Sequence, residues 1–331
     1  YVRSHENAGP YHLFAWKRAV EHAYGHTCFY IISEYENGKV AGILPLVLVK
    51  PPLLPGTIVS LPFCDYGGVL STETAAMEAM YSHAMQIAEV AGARMDIRCR
   101  RTEPVLTDTH GLVEISHKVR MILDLPENSE LLWNSFKSKL RSQIRKPQKD
   151  GLTFTLGSIE LLHDFYAVFR LNMRNLGSPV HARNWIESII RFFHEDAHVG
   201  VVYWGGTAVA AGIILACRDT ISIPWASALS EYSRSSPNML LYWGFLSYAC
   251  NNGFRRFDFG RSTPDEGTYR FKEQWGARPV PLYWYGAGNA GLKVSTPGGG
   301  SIRKNVEAIW SRLPQGLVDR MGPILRKYIT L

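Results

Sequence analysis

The sequence has few cysteines and no C-x-x-C motif. The five cysteines are odd in number and widely separated, at Cys28, Cys64, Cys99, Cys217 and Cys250. This spacing argues against a disulfide framework and against a cysteine zinc site. Long hydrophobic runs are also missing, because the apolar stretches at 43–49 and 208–217 are too short to span a bilayer, and no secretory signal is evident at the start. We expect a reducing, cytoplasmic setting.

Acidic residues are absent between Glu130 and Asp150, whereas the same stretch carries six cations. The six are Lys137, Lys139, Arg141, Arg145, Lys146 and Lys149. The pattern predicts one basic helix over 129–146 that ends at Pro147. With a net charge of +7, it favours an anionic partner, such as tRNA, a phosphate-bearing substrate or an anionic membrane face. Arg141, Arg145 and Lys146 are therefore candidate substrate-binding residues, and a solvated helix face is the alternative.

Common catalytic motifs are missing or lack the context they need. Neither a G-x-S-x-G elbow nor a Walker A loop occurs. Residues 194–198 spell H-E-x-x-H, but the helical pattern ends near His194 and a strand-like run follows, so we predict no metal site. Residues 286–291 spell G-x-G-x-x-G, yet a glycine-rich linker follows instead of a helix. We expect no tightly bound cofactor.

What the sequence does contain is an internal duplication. NGKVAGILPL, TIVSLPFCDYGG, a helix and AGARMDIRCR in the first half correspond in order to GGTAVAAGIIL, TISIPWASAL, a helix and NGFRRFDFGR in the second. Each set reads as a hairpin return strand, a second strand, a helix and a strand with a central aspartate, namely Asp96 or Asp258. The recurrence of these three strand segments in the same order predicts two tandem copies of one α/β (α+β) module.

The domain boundaries follow from this duplication. We place an N-terminal module at 1–126 and a C-terminal module at 127–287, because LPENSE supplies a break and a helix cap at Asn128. Residues 288–331 form a glycine-rich linker and an amphipathic segment at 302–329. That segment is expected either to pack on the body or to contact a membrane surface or a partner.

The stretch FDFGRSTPDEGTYRFKEQWGA at 257–277 concentrates chemistry behind a buried strand. Asp258 should point away from the face that Phe257 and Phe259 share, as a structural hydrogen-bond acceptor or a general base. From their charge and position, Arg261 and Arg270 are candidates to hold phosphate or carboxylate groups.

Four segments carry a resemblance to a known family: LRSQIRKPQKDGL, MRNLGSPVH, SPNMLLYWGFLSYACNNGFRRFDFGRS and GTYRFKEQWGA. SLPFCDYGG extends it to the first module. The duplicated module resembles the GNAT acyltransferase superfamily, and the pair resembles the FemABX aminoacyltransferases of peptidoglycan bridge formation. The closest likeness is to FemAB-related proteins of exopolysaccharide and PEP-CTERM/exosortase systems. The resemblance implies tandem GNAT-like modules, each with a mixed, mostly antiparallel sheet flanked by helices.

The resemblance also implies site residues and a reaction. The lysine of the family's Tyr-x-Phe-Lys motif corresponds to Lys272, which follows Tyr269 and Phe271. We take Lys272 and Asp258 as catalytic candidates. The substrate-binding set adds Tyr269, Asp65, Tyr66 and Trp225 to the arginines and lysine above. The implied reaction transfers an acyl or aminoacyl group to an amine of a cell-envelope or exopolysaccharide precursor, in the cytoplasm or at the inner face of the membrane.

The donor is open between aminoacyl-tRNA and acyl-CoA. GNAT enzymes that use acetyl-CoA bind its pyrophosphate on a glycine-containing loop that opens the central helix. The corresponding segment here, SEYSRSSPNMLLYW at 230–243, has no glycine. Ordinary CoA binding is therefore disfavoured, and a CoA-dependent enzyme with an atypical site is the second reading. The third is a non-catalytic GNAT-fold scaffold that binds a polyanionic glycan or lipid carrier.

Overall fold

The computed structural model describes residues 1–287 and 299–331. The glycine-rich linker and most of the G-x-G-x-x-G stretch lie outside the described residues. The strands are β1 (Thr27–Glu34), β2 (Val40–Val49), β3 (Thr57–Val59), β4 (Leu70–Ser71), β5 (Arg94–Cys99), β6 (Leu112–Glu114), β7 (Val119–Asp124), β8 (Leu152–Gly157), β9 (Ala197–Trp204), β10 (Thr207–Cys217), β11 (Thr220–Ala228), β12 (Arg256–Ser262), β13 (Arg278–Pro281) and β14 (Tyr283–Ala287).

The α-helices complete the element order. They are α1 (Phe14–Tyr24), α2 (Thr74–Val90), α3 (Pro104–Asp108), α4 (Ser129–Ser135), α5 (Ser138–Lys149), α6 (Leu162–Asn175), α7 (Arg183–Phe193), α8 (Pro237–Asn251), α9 (Gly267–Glu273), α10 (Gly299–Arg312) and α11 (Gln315–Arg326). Within the described part of the chain, none of them combines the length and apolar character that crossing a bilayer requires.

The two halves repeat one topology. In the first, the β1–β2 hairpin leads to β3, α2 and β5, and β5 runs parallel to β3. In the second, the β9–β10 hairpin leads to β11, α8 and β12, and β12 runs parallel to β11. Each parallel pairing spans three residue pairs and ends at the aspartate that the sequence singled out, Asp96 or Asp258. The prediction of tandem α/β modules with mostly antiparallel sheets is confirmed.

The halves exchange one strand each. The first sheet has the order β1-β2-β3-β5-β14-β6, so β14 from the end of the second half lies between β5 and β6. The second sheet has the order β13-β7-β12-β11-β10-β9-β8, so β7 from before the boundary at 126 lies between β12 and β13. The boundary at 126 therefore assigns β7 to the first half and β14 to the second, whereas each strand pairs in the sheet of the other half. Backbone hydrogen bonds of both sheets tie the halves together.

The predicted basic helix is two helices. Asn128 caps the first as expected, because its side chain accepts a hydrogen bond from the Leu131 N–H at 2.9 Å. Phe136 and Lys137 then adopt extended conformations that separate α4 from α5. Pro147 does not end the helix, as the sequence had suggested, but lies buried in its last turn, where few backbone hydrogen bonds depend on it.

An apolar cluster joins the halves. Trp16 of α1 stacks on Trp225 of β11 with ring centroids 6.2 Å apart, and it meets Trp185 of α7 edge-on at 5.2 Å. Phe63, from the loop after β3, contacts the same Trp185 ring at 5.2 Å. All four side chains are buried. Because aromatic burial is a major source of stability, this junction cluster fixes the position of one half against the other.

The C-terminal helices pack on the second half. Val318 and Gly322 of α11 are buried, and a side chain at Gly322 would meet Val180. Asp319 forms an ion pair with Arg170 of α6 at 2.6 Å. The end of the chain then reaches the first half, where the Thr330 carbonyl accepts a hydrogen bond from the Phe63 N–H at 2.7 Å. The amphipathic segment therefore packs on the body through one face.

Candidate active site

Lys272 is a buried lysine at the end of β12. It lies in the last turn of α9 and is 8% exposed. Its Nζ donates hydrogen bonds to the backbone carbonyls of Gly260 at 3.1 Å and Arg261 at 2.8 Å. Burial lowers the pKa of Lys272 to about 8, although the carboxylates of Asp65 and Asp258 act in the opposite direction. The ammonium has three N–H groups, and the two carbonyls engage two of them.

Asp258 is held in an ion pair inside the sheet. Its Oδ2 accepts from Arg120 Nε at 2.9 Å, and its Oδ1 accepts from the Gly260 N–H at 2.9 Å. Asp258 is 2% exposed and Arg120 is 3% exposed. Phe257 and Phe259 pack into the core of the second half, in accordance with the predicted strand alternation. With both oxygens engaged, the geometry favours the structural role over that of a general base.

Asp65 links the first half to the end of β12. Its Oδ2 accepts from the Arg261 N–H at 3.0 Å, and its Oδ1 lies 3.6 Å from Arg261 Nη1. Its backbone carbonyl accepts from Trp284 Nε1 of the exchanged strand β14 at 2.9 Å. Gly260, beside this contact, has a positive φ of 73°, which favours glycine at this position. The junction thus brings together Asp65, Arg261 and Lys272, three of the residues that the sequence suggested as site candidates.

Four further arginines surround this point, and sequence reasoning missed all of them. They are Arg98, Arg100, Arg120 and Arg326. Arg98 in β5 and Arg100, directly after β5, are two residues apart in the RCRR run, which was the available signal for these two. Arg120 lies on the exchanged strand β7 and Arg326 on α11, so only the tertiary structure brings them here.

Cations outnumber carboxylates in this region. We define the junction cations as Lys272, Arg98, Arg100, Arg120, Arg261 and Arg326. The carboxylates near them are Asp65, Asp96 and Asp258. Part of the excess positive charge lies over aromatic faces, because Arg100 and Arg120 are 4.9 and 4.8 Å from the Tyr66 ring centroid. Burial lowers the pKa of Arg100, and the neighbouring Arg120 lowers it further.

Several predicted residues lie elsewhere or are packed away. Trp225 belongs to the junction cluster, and Tyr269 packs against the core of the second half. Tyr66 is buried between Arg100 and Arg120, and burial raises its pKa to about 12. Arg270 is exposed on α9, two residues before the inward-pointing Lys272. The structure therefore does not bring Arg270 together with Lys272, and it gives Tyr66 and Trp225 packing contacts.

One basic residue of α5, Lys146, contacts the segment just before α8. Lys146 donates to the backbone carbonyl of Arg234 and lies 3.2 Å from Asp150. Arg145 is exposed and stacks over Trp133 at 5.0 Å. α8 itself begins with Pro237, which has no backbone N–H to offer an anion. The first position of α8 therefore lacks a backbone N–H, and the Lys146 ammonium contacts the segment just before it.

The H-E-x-x-H stretch adopts the predicted break. α7 ends at Phe193, His194 has a positive φ of 50°, and β9 begins at Ala197. His198 then lies in β9, where its Nε2 is 2.6 Å from the Tyr248 hydroxyl. Across residues 1–287 and 299–331, no group of three or more His, Cys, Asp or Glu side chains is arranged to hold a metal ion.

Comparisons with known proteins agree with this architecture. Residues 134–273 match the family described as the acetyltransferase (GNAT) domain, and the match ends one residue after Lys272. FemX has a TM-score of 0.69 to this chain at 17% identity, covering 86% of this chain and 94% of FemX. L-PGS from Bacillus licheniformis has a TM-score of 0.57 at 13% identity, covering 89% and 96%.

A tandem GNAT protein from the clavulanic acid biosynthesis pathway has a TM-score of 0.51 at 11% identity, covering 80% of this chain and 84% of that one. No curated protein sequence matches the chain. The domain match therefore covers most of the second half of the chain, including Asp258, Arg261 and Lys272. The likeness to FemX extends over both modules, so the whole chain shares the FemX fold.

The ion pair of Asp258 gives a test of its role. We predict that Asp258→Asn lowers the free energy of unfolding by about 3–5 kcal/mol, because it leaves the buried Arg120 guanidinium without its counter-charge. The matched control is Asp219→Asn, which removes the half-exposed pair with Arg256 and should cost no more than about 1 kcal/mol. Chemical denaturation measures both. Equal stabilities, with turnover lost only in Asp258→Asn, would instead make Asp258 a base.

Proposed function

We propose that the chain is a FemAB-like N-acyltransferase that transfers an activated acyl or aminoacyl group to an amine of a cell-envelope or exopolysaccharide precursor. The observation that carries this proposal is the setting of Lys272. Two backbone carbonyls hold its ammonium at the end of β12, beside Asp65 of the other half, and one N–H is left over. A fixed cationic donor at the junction of two modules suits a carbonyl oxygen that gains negative charge.

The chemistry assigned to this point is acyl transfer. The acceptor amine attacks the acyl carbon, the new C–N bond forms, and the carbonyl oxygen becomes an oxyanion that the free N–H of Lys272 stabilises. The bond from the acyl carbon to the donor's oxygen or sulfur then breaks. The amine gives up a proton, and the departing oxygen or sulfur ends protonated, so that charge and atoms balance. Asp258 and Arg120 fix the strand that presents the Gly260 and Arg261 carbonyls, and they act by positioning.

For the donor we propose aminoacyl-tRNA. The support is the packing of α5 beside the start of α8, where Lys146 donates to the Arg234 carbonyl and where Pro237 removes a backbone N–H. Arg141 and Arg145 add two more cations on α5. A polyanionic backbone gains from several such cations. An acyl-CoA donor at this atypical site is the alternative that the binding experiment below distinguishes.

We predict that Lys272→Ala lowers turnover at least tenfold, which is about 1.4 kcal/mol of transition-state stabilisation. The reason is loss of the donor that faces the developing oxyanion. Glu273→Ala, an exposed change in the same helix, is the control and should retain turnover. Circular dichroism should show both variants folded. Unchanged turnover in folded Lys272→Ala would remove the catalytic assignment, and a protein that binds its ligands without any turnover would be a scaffold.

The pH dependence of the same assay separates two roles for Lys272. Because its pKa is about 8 in the folded protein, an ammonium that acts as donor predicts turnover that falls as the pH rises through about 8. Lys272→Arg should abolish this fall. Turnover that rises through the same pH in a Lys272-dependent way would make the neutral amine a base.

The lowered pKa of Lys272 also affects stability. Between pH 8 and about 10.5 the Lys272 side chain is protonated in the unfolded chain but largely neutral in the folded protein, so its contribution to the free energy of unfolding increases with pH across that window.

We predict that the double variant Arg141→Gln, Arg145→Gln weakens tRNA binding severalfold and lowers its salt dependence, because fewer phosphates are neutralised. The control is Lys39→Gln, Lys50→Gln, which makes the same charge change on exposed residues of the first half. Filter binding at several salt concentrations measures both. Equal affinities would indicate a merely solvated helix, and saturable CoA binding without tRNA binding would favour the alternative donor.

We also propose a peripheral membrane contact through α11. Its outward face exposes Leu317, Met321 and Ile324 with Arg320 beside them, a combination that suits an anionic lipid surface. Ile324→Asp should reduce co-sedimentation with vesicles of anionic lipid severalfold, while Leu53→Asp, at an exposed site in the first half, should not. Binding equal in both variants, or no binding to anionic vesicles, would contradict the proposal.

A further inference from the structure

The loop after β3 carries Asp65 to the end of β12, and the backbone of this loop is strained. Phe63, two residues before Asp65, has a positive φ of 67°. A bulky residue is unfavourable in this conformation, so surrounding contacts must hold it there. The Phe63 ring is buried beside Trp185 and His181, with centroids 5.2 and 5.1 Å away. The loop therefore keeps this shape only while its neighbours hold it.

A buried arginine holds the backbone of this loop. Arg98 Nη1 donates to the backbone carbonyls of Cys64 at 3.2 Å and Leu61 at 3.4 Å, on either side of Phe63. Arg98 is fully buried, and its Nη2 pairs with Asp96 at 2.6 Å. Because the donors of a guanidinium form a rigid planar fork, one arginine can bind several oxygens in a fixed arrangement. Arg98 therefore connects β5 with both ends of the strained turn.

The residues after α11 hold the same loop. The Thr330 carbonyl accepts hydrogen bonds from the Phe63 N–H at 2.7 Å and from Arg98 Nη1 at 2.9 Å. The Thr330 hydroxyl accepts from Arg98 Nη2 at 2.8 Å. The Lys327 carbonyl adds a contact with the first half, 2.8 Å from the His26 ring Nε2. Arg98 and Thr330 thus bind each other and the loop, and we call this pair the loop clamp.

Asp65 connects this loop to Lys272. Asp65 Oδ2 accepts from the Arg261 N–H, and Lys272 Nζ donates to the Arg261 carbonyl, so carboxylate and ammonium bind the same backbone residue. Burial lowers the pKa of Lys272. The carboxylates of Asp65 and Asp258 raise it, and the charge of Arg261 lowers it. Asp258 is already paired with Arg120 of β7, so Asp65 is the carboxylate whose position depends on the loop.

We propose that Arg98 and Thr330 are positioning residues that act through Asp65. They hold the strained loop so that its carboxylate stays near the Lys272 ammonium. When the loop clamp is broken, the loop relaxes, the carboxylate moves away, and Lys272 loses its proton at a lower pH. The consequence for catalysis rests on the proposed function, in which the ammonium form stabilises the developing oxyanion. The consequence for the proton does not.

The titration of Lys272 can be followed in the whole chain by NMR of isotope-labelled lysine side chains, with the signal assigned by its loss in Lys272→Ala. Arg98→Lys retains the charge but not the fork of donors, and it should lower the midpoint by about one pH unit. Thr330→Val removes only the hydroxyl bond to Arg98 and should lower the midpoint by about half a unit, while Thr330→Ser should restore it. Because these substitutions leave the net charge unchanged, a shift reports the position of the carboxylate.

A double-mutant comparison tests whether the loop clamp acts through Asp65. Asp65→Asn should lower the midpoint by itself, and Arg98→Lys should add no further shift in that background. Changes that act independently would add instead. Additive shifts, or midpoints of Arg98→Lys and Thr330→Val equal to that of the wild type, would overturn the inference. If Arg98→Lys does not fold, Thr330→Val carries the same comparison, with Thr330→Ser as its rescue.

The pH profile of turnover separates this inference from the proposed function. In Thr330→Val the fall in turnover should move to lower pH together with the NMR midpoint. Turnover lost equally at every pH, with an unchanged midpoint, would indicate a merely structural role and overturn the inference. A midpoint that depends on the loop clamp, with turnover indifferent to Lys272, would leave the positioning role standing and remove the catalytic assignment. Turnover that depends on Lys272, with a midpoint indifferent to the clamp, would do the reverse.

Discussion

The apolar contact between the two halves is the constraint on which the rest of the structure depends. Trp16, Trp185 and Trp225 bury their rings against one another across the boundary, and the exchange of β7 and β14 adds backbone hydrogen bonds on both sides. Because rings packed at interior density have little freedom to slide, the halves meet in one register. The loop that carries Asp65 then meets the end of β12 as a consequence, and Lys272 acquires its surroundings from both halves.

The electrostatics of the junction follow from this geometry. Six cationic side chains lie close together with three carboxylates, and removing such charges from water is unfavourable unless other groups replace the solvent. Backbone carbonyls, the Tyr66 and Trp284 rings and the Asp258 carboxylate provide part of that replacement. The remaining positive charge is the physical basis for assigning an anionic substrate to this place.

The GNAT fold by itself does not determine the reaction, since one fold hosts many activities. The particular features here are the start of α8, where Pro237 stands in place of a glycine-rich anion loop, and the nearby cations of α5. Equally particular is the C-terminal segment, which packs on α6 and continues to the junction. These features, more than the shared topology, distinguish this chain, and the first two underlie the donor that we propose.

The sequence by itself determined the repeated module, the strand that bears Asp258, the cap at Asn128 and the end of α7 before the second histidine of H-E-x-x-H. These features depend on local chemistry and on the period of the hydrophobic residues, and both can be read from residues that are close in the chain. It also indicated Lys272 and Arg261 together, because the two lie close in the chain and a family motif marked Lys272. Only the tertiary structure decided the strand exchange, the split between α4 and α5, the arginine partner of Asp258, and the arrival of Arg326 at the junction. Each of these depends on contacts between residues far apart in the chain, and no periodicity or spacing within a segment records which distant side chain will occupy the remaining space.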